Sequence, residues 1–308
     1  MAQLNLCWPA DYFSSSVFSW LITAFFLDVE SWNLDVLLSV THPRLIFVTG
    51  TDTGVGKTVL TSLLLAHLRG QGIRALALKP FCSGSRADAT LLHALMDDEL
   101  TLDEVNPFYF AEPIAPLVAV RKHHRRISLK QVISHLESVL QHLESKPAEV
   151  VFPSPITHYP SRIVPRLSRS DSPTLLIEGA GGLLAPLAHN CTALDIIRRL
   201  HCEVLLVAPN KLGTINHTLL TIRTLQSNAP VLSRLPRSHA SRSTKVVLMN
   251  SRLHDASASS NPRVLSELLA RIPVHTFPFL GSSLSRPRVI RRHASVLHRK
   301  LAILCRKH

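Results

Sequence analysis

The residues with the clearest chemical potential lie in the stretch GTDTGVGKT, which follows the apolar run LIFVT. A strand that leads into a glycine loop and a Lys-Thr pair at a helix start is typical of a phosphate-binding loop. There, backbone N–H groups point at phosphate oxygens. Lys57 would add positive charge, and the Thr58 hydroxyl would bind Mg²⁺. Five residues, against four in the general pattern, separate Gly50 from Gly56. The alternative is a plain strand–helix turn with an exposed lysine.

Two further stretches place charged residues directly after apolar runs. LLIEGAGG puts Glu178 at a predicted strand tip, where a carboxylate binds Mg²⁺ directly or through water. In LKPFCSGSRADA, Lys79 ends a strand and would add a second positive charge, and Asp88 is a candidate metal ligand. Taken alone, a glycine-rich turn and a surface lysine are the alternatives. Cys82 is expected to be a small buried residue, although its place beside this loop makes thiol modification worth testing.

Short apolar runs alternate with helical stretches after Arg44, which predicts a doubly wound, mostly parallel α/β sheet with helices on both faces. We predict strands at 45–50, 74–80, 174–179, 202–210, 244–250 and 272–279. Helices are predicted at 57–69, 89–96 and 129–145. Ligands bind at the carboxyl ends of the strands in such sheets, and the three stretches above fall at those ends.

Composition limits the classes of partner. The five cysteines form no CxxC pair, and the 17 histidines show no metal-ligand spacing. These features argue against a disulfide framework or zinc site and for a reducing, cytoplasmic compartment. The net charge of +13 would permit nucleic-acid binding, but the basic residues are scattered among Ser, His and Pro without aromatic interleaving. A solvated surface or an acidic small-molecule partner is therefore favoured over nucleic acid.

Residues 1–43 differ from the rest, because they contain no Lys or Arg. Their apolar part is shorter than the roughly 20 residues of a membrane helix, and they lack the basic start of a secretory signal. We predict an N-terminal extension outside the core fold and no membrane association, with a membrane anchor as the less favoured alternative. The remaining chain is predicted to form one domain, with an exposed Pro/Ser/Arg-rich insert near 153–173.

Five segments follow the order and style of the dethiobiotin synthetases: GTDTGVGKT, LKPFCSG, NPFYFAEPIAP, IEGAGGLLAPL and NKLGTINHTLLT. The chain resembles that family over about 44–280, and the long step from Gly50 to Gly56 is typical of it. The resemblance implies a P-loop NTPase-like domain at 44–308. It also implies ATP- and Mg²⁺-dependent closure of the ureido ring of dethiobiotin, in biotin biosynthesis. The substrates would be 7,8-diaminopelargonic acid and CO₂ or bicarbonate. The reaction would pass through a carbamate and a carbamic–phosphoric anhydride, in a homodimer.

The resemblance also implies roles for individual residues. Lys79 and Lys57 would be catalytic, since they would neutralise charge on carbamate and phosphoryl oxygens. Mg²⁺ would be held by Thr58, Asp88 and Glu178, and the substrate would contact Ser83 and Lys211. Asn250 would bind the adenine edge. The full nucleotide-binding set would be Gly54, Val55, Gly56, Lys57, Thr58, Val59, Asp88, Glu178, Gly179, Ala180, Gly181, Asn250, Pro278, Phe279 and Leu280.

Two features differ from the family pattern, and two other protein classes are alternatives to it. Gly54 occupies a place where some family members have an acid near the metal, and no acid follows Leu280 where some use one on the ribose. An amidoligase-type relative would need a glutamine-splitting domain, for which too little chain follows Leu280. A ParA/MinD-like ATPase switch, binding DNA or a partner surface, would carry another lysine early in the loop, where Thr51, Asp52 and Thr53 stand.

Overall fold

The apolar runs of the sequence form a central sheet of six parallel strands. The structure, a computed structural model, describes residues 43–145, 172–227, 243–253, 255–281 and 284–306. The strands in chain order are β1 (Arg44–Gly50), β2 (Ala75–Leu78), β3 (Phe81–Ser83), β4 (Phe108–Phe110), β5 (Thr174–Glu178), β6 (Pro186–Ala188), β7 (Cys191–Thr192), β8 (Glu203–Pro209), β9 (Thr244–Met249) and β10 (Val274–Phe277). The large sheet has the order β10–β9–β8–β1–β5–β2, so β1 lies between β8 and β5.

Helices connect and cover these strands. They are α1 (Lys57–Gly70), α2 (Ala87–Leu95), α3 (Leu102–Val105), α4 (Pro116–Lys122), α5 (Leu129–Ser145), α6 (Ala193–Leu200), α7 (Thr214–Gln226), α8 (Asn261–Leu269), α9 (Pro287–Val296) and α10 (His298–Cys305). On one face α1 packs against α9 and α10, and on the other α5 packs against α6. The predicted P-loop NTPase-like α/β architecture is confirmed.

Helix α1 is buried on almost every side, which explains its nearly continuous apolar sequence. Leu60, Leu63, Leu64 and Leu65 are fully buried, because α1 lies between the sheet and the two C-terminal helices. Its first turn carries Lys57, so this packing holds the end of the phosphate loop in a fixed place.

The predicted strands and helices are all present, with ends that differ by at most two residues. Strand β2 ends at Leu78 rather than at residue 80, because Pro80 has no N–H to donate to a neighbouring strand. The sequence interpretation missed α3 and α6. Each begins with a capping box, formed by Thr101 and Glu104 in α3 and by Thr192 and Asp195 in α6. It also missed α4, α7, α8, α9, α10 and the two short strand pairs β3–β4 and β6–β7.

Two sequence predictions fall on parts of the chain that the structure does not describe. Residues 1–42 and most of the predicted insert, 153–171, lie outside the described residues. Within the described ranges no helix is long and apolar enough to cross a membrane. The four described cysteines, Cys82, Cys191, Cys202 and Cys305, are free thiols.

Two buried cations tie the last helix to the edge of the sheet opposite the phosphate loop. Lys245 Nζ, fully buried, donates to Leu304 O at 2.9 Å and to Arg306 O at 2.6 Å. Burial lowers the pKa of Lys245, and the neighbouring Arg44 lowers it further. Arg44 forms a two-pronged ion pair with Glu203, with 2.7 Å between Nε and Oε1. Arg44 also donates to Cys305 O at the end of α10. Carbonyls at a helix C-terminus lack intrahelical donors and carry partial negative charge, so these cations cap α10.

We predict that Lys245→Met lowers the free energy of unfolding by about 2–3 kcal/mol, because it leaves buried carbonyls without a donor. Urea denaturation followed by circular dichroism measures this change. The matched control is Lys300→Met, since exposed Lys300 also donates to one carbonyl, Thr276 O, at 2.9 Å. Equal effects of the two substitutions would contradict the capping role.

Candidate active site

The phosphate loop joins β1 to α1 and relies on left-handed glycines. Gly54 has φ 71° and Gly56 has φ 100°, a region that disfavours other residues. A Cβ on Gly56 would lie 3.2 Å from Met249 Cγ, so the loop packs against the end of β9. A Cβ on Gly54 would meet nothing within 4 Å. Within the loop, Val55 is buried.

Lys57 folds back over this loop. Its Nζ donates to Asp52 O at 2.7 Å, and the residue is 7% exposed. Burial lowers the pKa of Lys57 to about 8, although the nearby Glu178 carboxylate opposes that shift. A single carbonyl is a weak partner for an ammonium compared with an anion. The side chain is therefore placed to exchange this carbonyl for a phosphate oxygen.

Four side chains from different elements meet at the ends of β2 and β5. Lys79 Nζ lies 2.7 Å from Glu178 Oε1 and 3.3 Å from Thr58 Oγ1, and it also forms an ion pair with Asp88. Thr58 Oγ1 donates to Glu178 Oε1 at 2.6 Å. Burial alone would lower the pKa of Lys79, but the Glu178 and Asp88 carboxylates outweigh it and raise that pKa. We call Lys79, Glu178, Asp88 and Thr58 the Lys79 cluster.

The predicted Mg²⁺ ligands are thus adjacent, and one of them has an unused oxygen. Glu178 is fully buried, and its Oε2 has no hydrogen-bond partner among the described residues. Mg²⁺ binds proteins through one or two carboxylates and takes its other ligands from water and phosphate. Two carboxylates and the Thr58 hydroxyl suit that chemistry. In the described part of the chain no group of three or more His, Cys, Asp or Glu side chains is placed to hold a metal.

The glycine loop after β5 lies against the phosphate loop. A Cβ on Gly182 would lie 3.4 Å from Thr51 O, and one on Gly179 would lie 3.0 Å from Phe47 Cε1. Gly181 has φ 68°. Such close approach of two backbones leaves little room for side chains. The predicted nucleotide residues Gly179, Ala180 and Gly181 therefore border the phosphate loop. Val55 lies within that loop, and Val59 lies in the first turn of α1.

The predicted base-binding residues lie at the ends of neighbouring strands. Asn250 follows β9, and its N–H donates to Phe277 O at 3.0 Å. Pro278, Phe279 and Leu280 follow β10, and Phe279 is 46% exposed. Because Met249 lies against Gly56, Asn250 follows directly beside the phosphate loop. The structure thus places the predicted phosphate and base residues along one edge of the sheet.

The two predicted substrate residues are placed differently. Ser83 ends β3, and its buried Oγ has no hydrogen-bond partner among the described residues. Lys211 is exposed on the loop before α7, and in the described residues its ammonium makes no ion pair with the Lys79 cluster. Only Ser83, four residues beyond Lys79 in the chain, belongs to the same loop as the cluster.

The chain is similar to known proteins at the level of a family. An AAA-domain family model matches residues 44–273. The ATP-dependent dethiobiotin synthetase BioD of Anaeromyxobacter sp. strain Fw109-5 is 31% identical over 252 residues, 80% of this chain and 96% of that protein. The BioD of Anaeromyxobacter sp. strain K is 32% identical over 257 residues, 82% of this chain and 95% of that protein.

The chain belongs to the dethiobiotin synthetase family. Dethiobiotin synthetases are ligases, so membership makes this chain an enzyme and disfavours the ATPase-switch alternative. Among solved structures, the cell division protein FtsY of Thermotoga maritima aligns over 82% of this chain and 68% of its own, with 14% identity and a TM-score of 0.39. That likeness is too low to carry an argument.

Two residues that the sequence interpretation missed hold the backbone at Lys79. Asn106, 1% exposed, donates from Nδ2 to Lys79 O at 2.8 Å and to Pro80 O at 3.2 Å. Its Oδ1 accepts from Arg86 Nε at 3.1 Å. Asn106 begins the NPFYFAEPIAP segment, so the family motif marked the residue, but nothing in the sequence indicated its partners.

We predict that Lys79→Met lowers the free energy of unfolding by about 3–5 kcal/mol, because the buried Glu178 carboxylate would lose its cation. Urea denaturation at neutral pH measures the effect. The control is Lys122→Met, since the Lys122–Glu112 pair of 2.6 Å lies at the surface, where such pairs contribute about 0–1 kcal/mol. If both variants were equally stable, the Lys79 cluster would not be the buried ion pair described above.

Proposed function

We propose that this chain closes the ureido ring of dethiobiotin from 7,8-diaminopelargonic acid and CO₂, with ATP as co-substrate and Mg²⁺ as cofactor. The single observation that carries the proposal is the Lys79 cluster, in which an ammonium, two carboxylates and a hydroxyl meet beside a phosphate loop. The motif match to the family and the two BioD relatives support the same reaction.

The reaction develops negative charge at each step, and the chain supplies cations for it. One substrate amine takes up CO₂ and loses a proton to give a carbamate. A carbamate oxygen attacks the γ-phosphorus and ADP leaves, which gives a carbamic–phosphoric anhydride. The second amine attacks the carbonyl carbon, and phosphate leaves as the ring closes. Lys79 and Lys57 would stabilise the charge on the carbamate and phosphoryl oxygens, which is how proteins mainly catalyse phosphoryl transfer.

Thr58, Asp88 and Glu178 would hold Mg²⁺, the last through the Oε2 atom that has no hydrogen-bond partner among the described residues. The ion would neutralise phosphate charge there. Lys79 contacts the same three side chains, so its ammonium would lie next to the phosphates that the metal binds. Gly54 supplies no acid, which leaves two carboxylates for the metal.

The substrate would lie between Ser83 and a loop that carries Lys211. Ser83 Oγ has its hydrogen-bonding capacity unused among the described residues. Lys211 is exposed beside Leu212, which is 81% exposed, as expected for a loop that packs against a second copy of the chain. We therefore propose a homodimer. The free cysteines suit a cytoplasmic setting.

Purified enzyme with ATP, Mg²⁺ and bicarbonate is expected to release ADP only when diaminopelargonic acid is added. Glu178→Gln keeps the shape of the side chain but removes its charge, so kcat/KM should fall at least about 100-fold. Coupled ADP detection and mass spectrometry of the product measure these effects. The control Glu112→Gln changes a surface acid and should leave kcat/KM unchanged. ATP hydrolysis that ignores diaminopelargonic acid and responds to DNA would contradict the proposal.

We also propose that residues 1–43 form an extension outside the catalytic domain, because all predicted site residues lie in the described part of the chain after it. Deletion of residues 1–42 leaves Pro43 ahead of Arg44, whose N–H donates to Pro173 O at 2.7 Å. The truncated enzyme should keep its melting temperature and kcat/KM. A folded but inactive truncated protein would show that the extension contributes to the site.

A further inference from the structure

Three asparagine side chains form a chain of hydrogen bonds behind the predicted base pocket. Asn261 Nδ2 donates to Asn210 Oδ1 at 3.1 Å, and Asn210 Nδ2 donates to Asn250 Oδ1 at 2.8 Å. The three residues come from the start of α8, the end of β8 and the end of β9. The relay therefore leads from the protein interior to the one asparagine predicted to bind the base.

Backbone carbonyls fix the orientation of each amide in this relay. Asn210 Nδ2 also donates to Ala258 O at 3.0 Å, and Asn261 Nδ2 also donates to Lys211 O at 3.2 Å. A carbonyl oxygen accepts only, so neither amide can be reversed without placing two oxygens together. With Asn210 Nδ2 fixed, the Asn250 atom that faces it must be the oxygen.

Burial makes the arrangement stable. Asn210 is 4% exposed and Asn261 is 2% exposed, whereas Asn250 is only partly buried. A buried amide that loses a partner is strongly unfavourable. The two inner residues would therefore hold their orientation, and Asn250 Nδ2 would remain the group available to a ligand. Within the described residues, Asn250 Nδ2 donates no hydrogen bond.

We propose that Asn210, held by Asn261, orients the amide of Asn250 and thereby makes the enzyme select adenine over guanine nucleotides. Adenine offers its amino group, a donor, next to a ring nitrogen that accepts, and a side-chain amide matches both atoms in only one orientation. Guanine has the acceptor O6 in place of the amino group, which would face Asn250 Oδ1. Asn210 is a positioning residue, because it acts through Asn250. The inference rests on the proposed function, since it assumes that Asn250 lies against the base.

The test measures equilibrium binding of ADP and of GDP, each with Mg²⁺, by isothermal titration calorimetry. An aspartate at position 210 accepts only, so Asn210→Asp would turn Asn250 Nδ2 inwards and present Oδ1 to the base. The wild-type enzyme should bind ADP more tightly than GDP, and Asn210→Asp should reduce that ratio about 10- to 100-fold. Asn250→Ala removes the oxygen that accepts from the adenine amino group, so it should reduce the ratio similarly.

Asn190→Asp is the matched control, because it makes the same charge change at an exposed position between β6 and β7. It should keep the wild-type ratio. If Asn210→Asp does not fold, Asn210→Ala decides the case, since it releases Asn250 and should also lower the ratio. Three results would overturn the proposal: an unchanged ratio in a folded Asn210 variant, a change in Asn250→Ala alone, or no ADP preference in the wild type.

This experiment separates the inference from the proposed ligase activity. It needs neither diaminopelargonic acid nor bicarbonate, so loss of base selectivity is measured even if the ring-closing reaction proves wrong. Conversely, an enzyme that makes dethiobiotin but binds ADP and GDP alike would retain the proposed function and lose only this inference.

Discussion

The burial of the Glu178 carboxylate is the constraint on which the active site depends. Glu178 is fully buried at the end of β5, and an unpaired charge there would be strongly unfavourable. Strands β2 and β5 are parallel, with Leu78 paired with Ile177. The residues that follow these two, Lys79 and Glu178, therefore lie side by side. The register with β1 pairs Val48 with Glu178, which brings the carboxylate beside the phosphate loop. One sheet register therefore assembles the cation, the carboxylate and the loop.

Other features hold that arrangement in place. Asn106 and Arg86 fix the backbone after Lys79, and the buried helix α1 fixes the end of the phosphate loop. Cys82 lies in β3, three residues after Lys79, and burial raises the pKa of its thiol to about 11. A thiol with so high a pKa is almost fully protonated at neutral pH and reacts slowly. Cys82 therefore serves packing, as the sequence predicted, and is a poor target for modification.

The sequence predicted the buried strands and the phosphate loop, because each depends on residues close together in the chain. Each buried strand is a short apolar run, and the phosphate loop has its own residue types, so both were located correctly. Side-chain partners distant in the chain were not predictable, since Asn261 and Asn210 are 51 residues apart and meet only because of how β8 and α8 pack. Helices α9 and α10 were missed because arginines interrupt their apolar spacing. In α9 only Ile290 and Ala294 are buried.

The most direct test of the proposed chemistry follows oxygen atoms from CO₂. If a carbamate oxygen attacks the γ-phosphorus, one oxygen of CO₂ must leave in the released phosphate and the other must remain in the ring carbonyl. A short reaction with ¹⁸O-labelled CO₂, ATP and diaminopelargonic acid, analysed by mass spectrometry, is predicted to give one ¹⁸O in phosphate for each ring closed. Phosphate that carries no ¹⁸O, while labelled CO₂ remains in the mixture, would contradict phosphorylation of the carbamate.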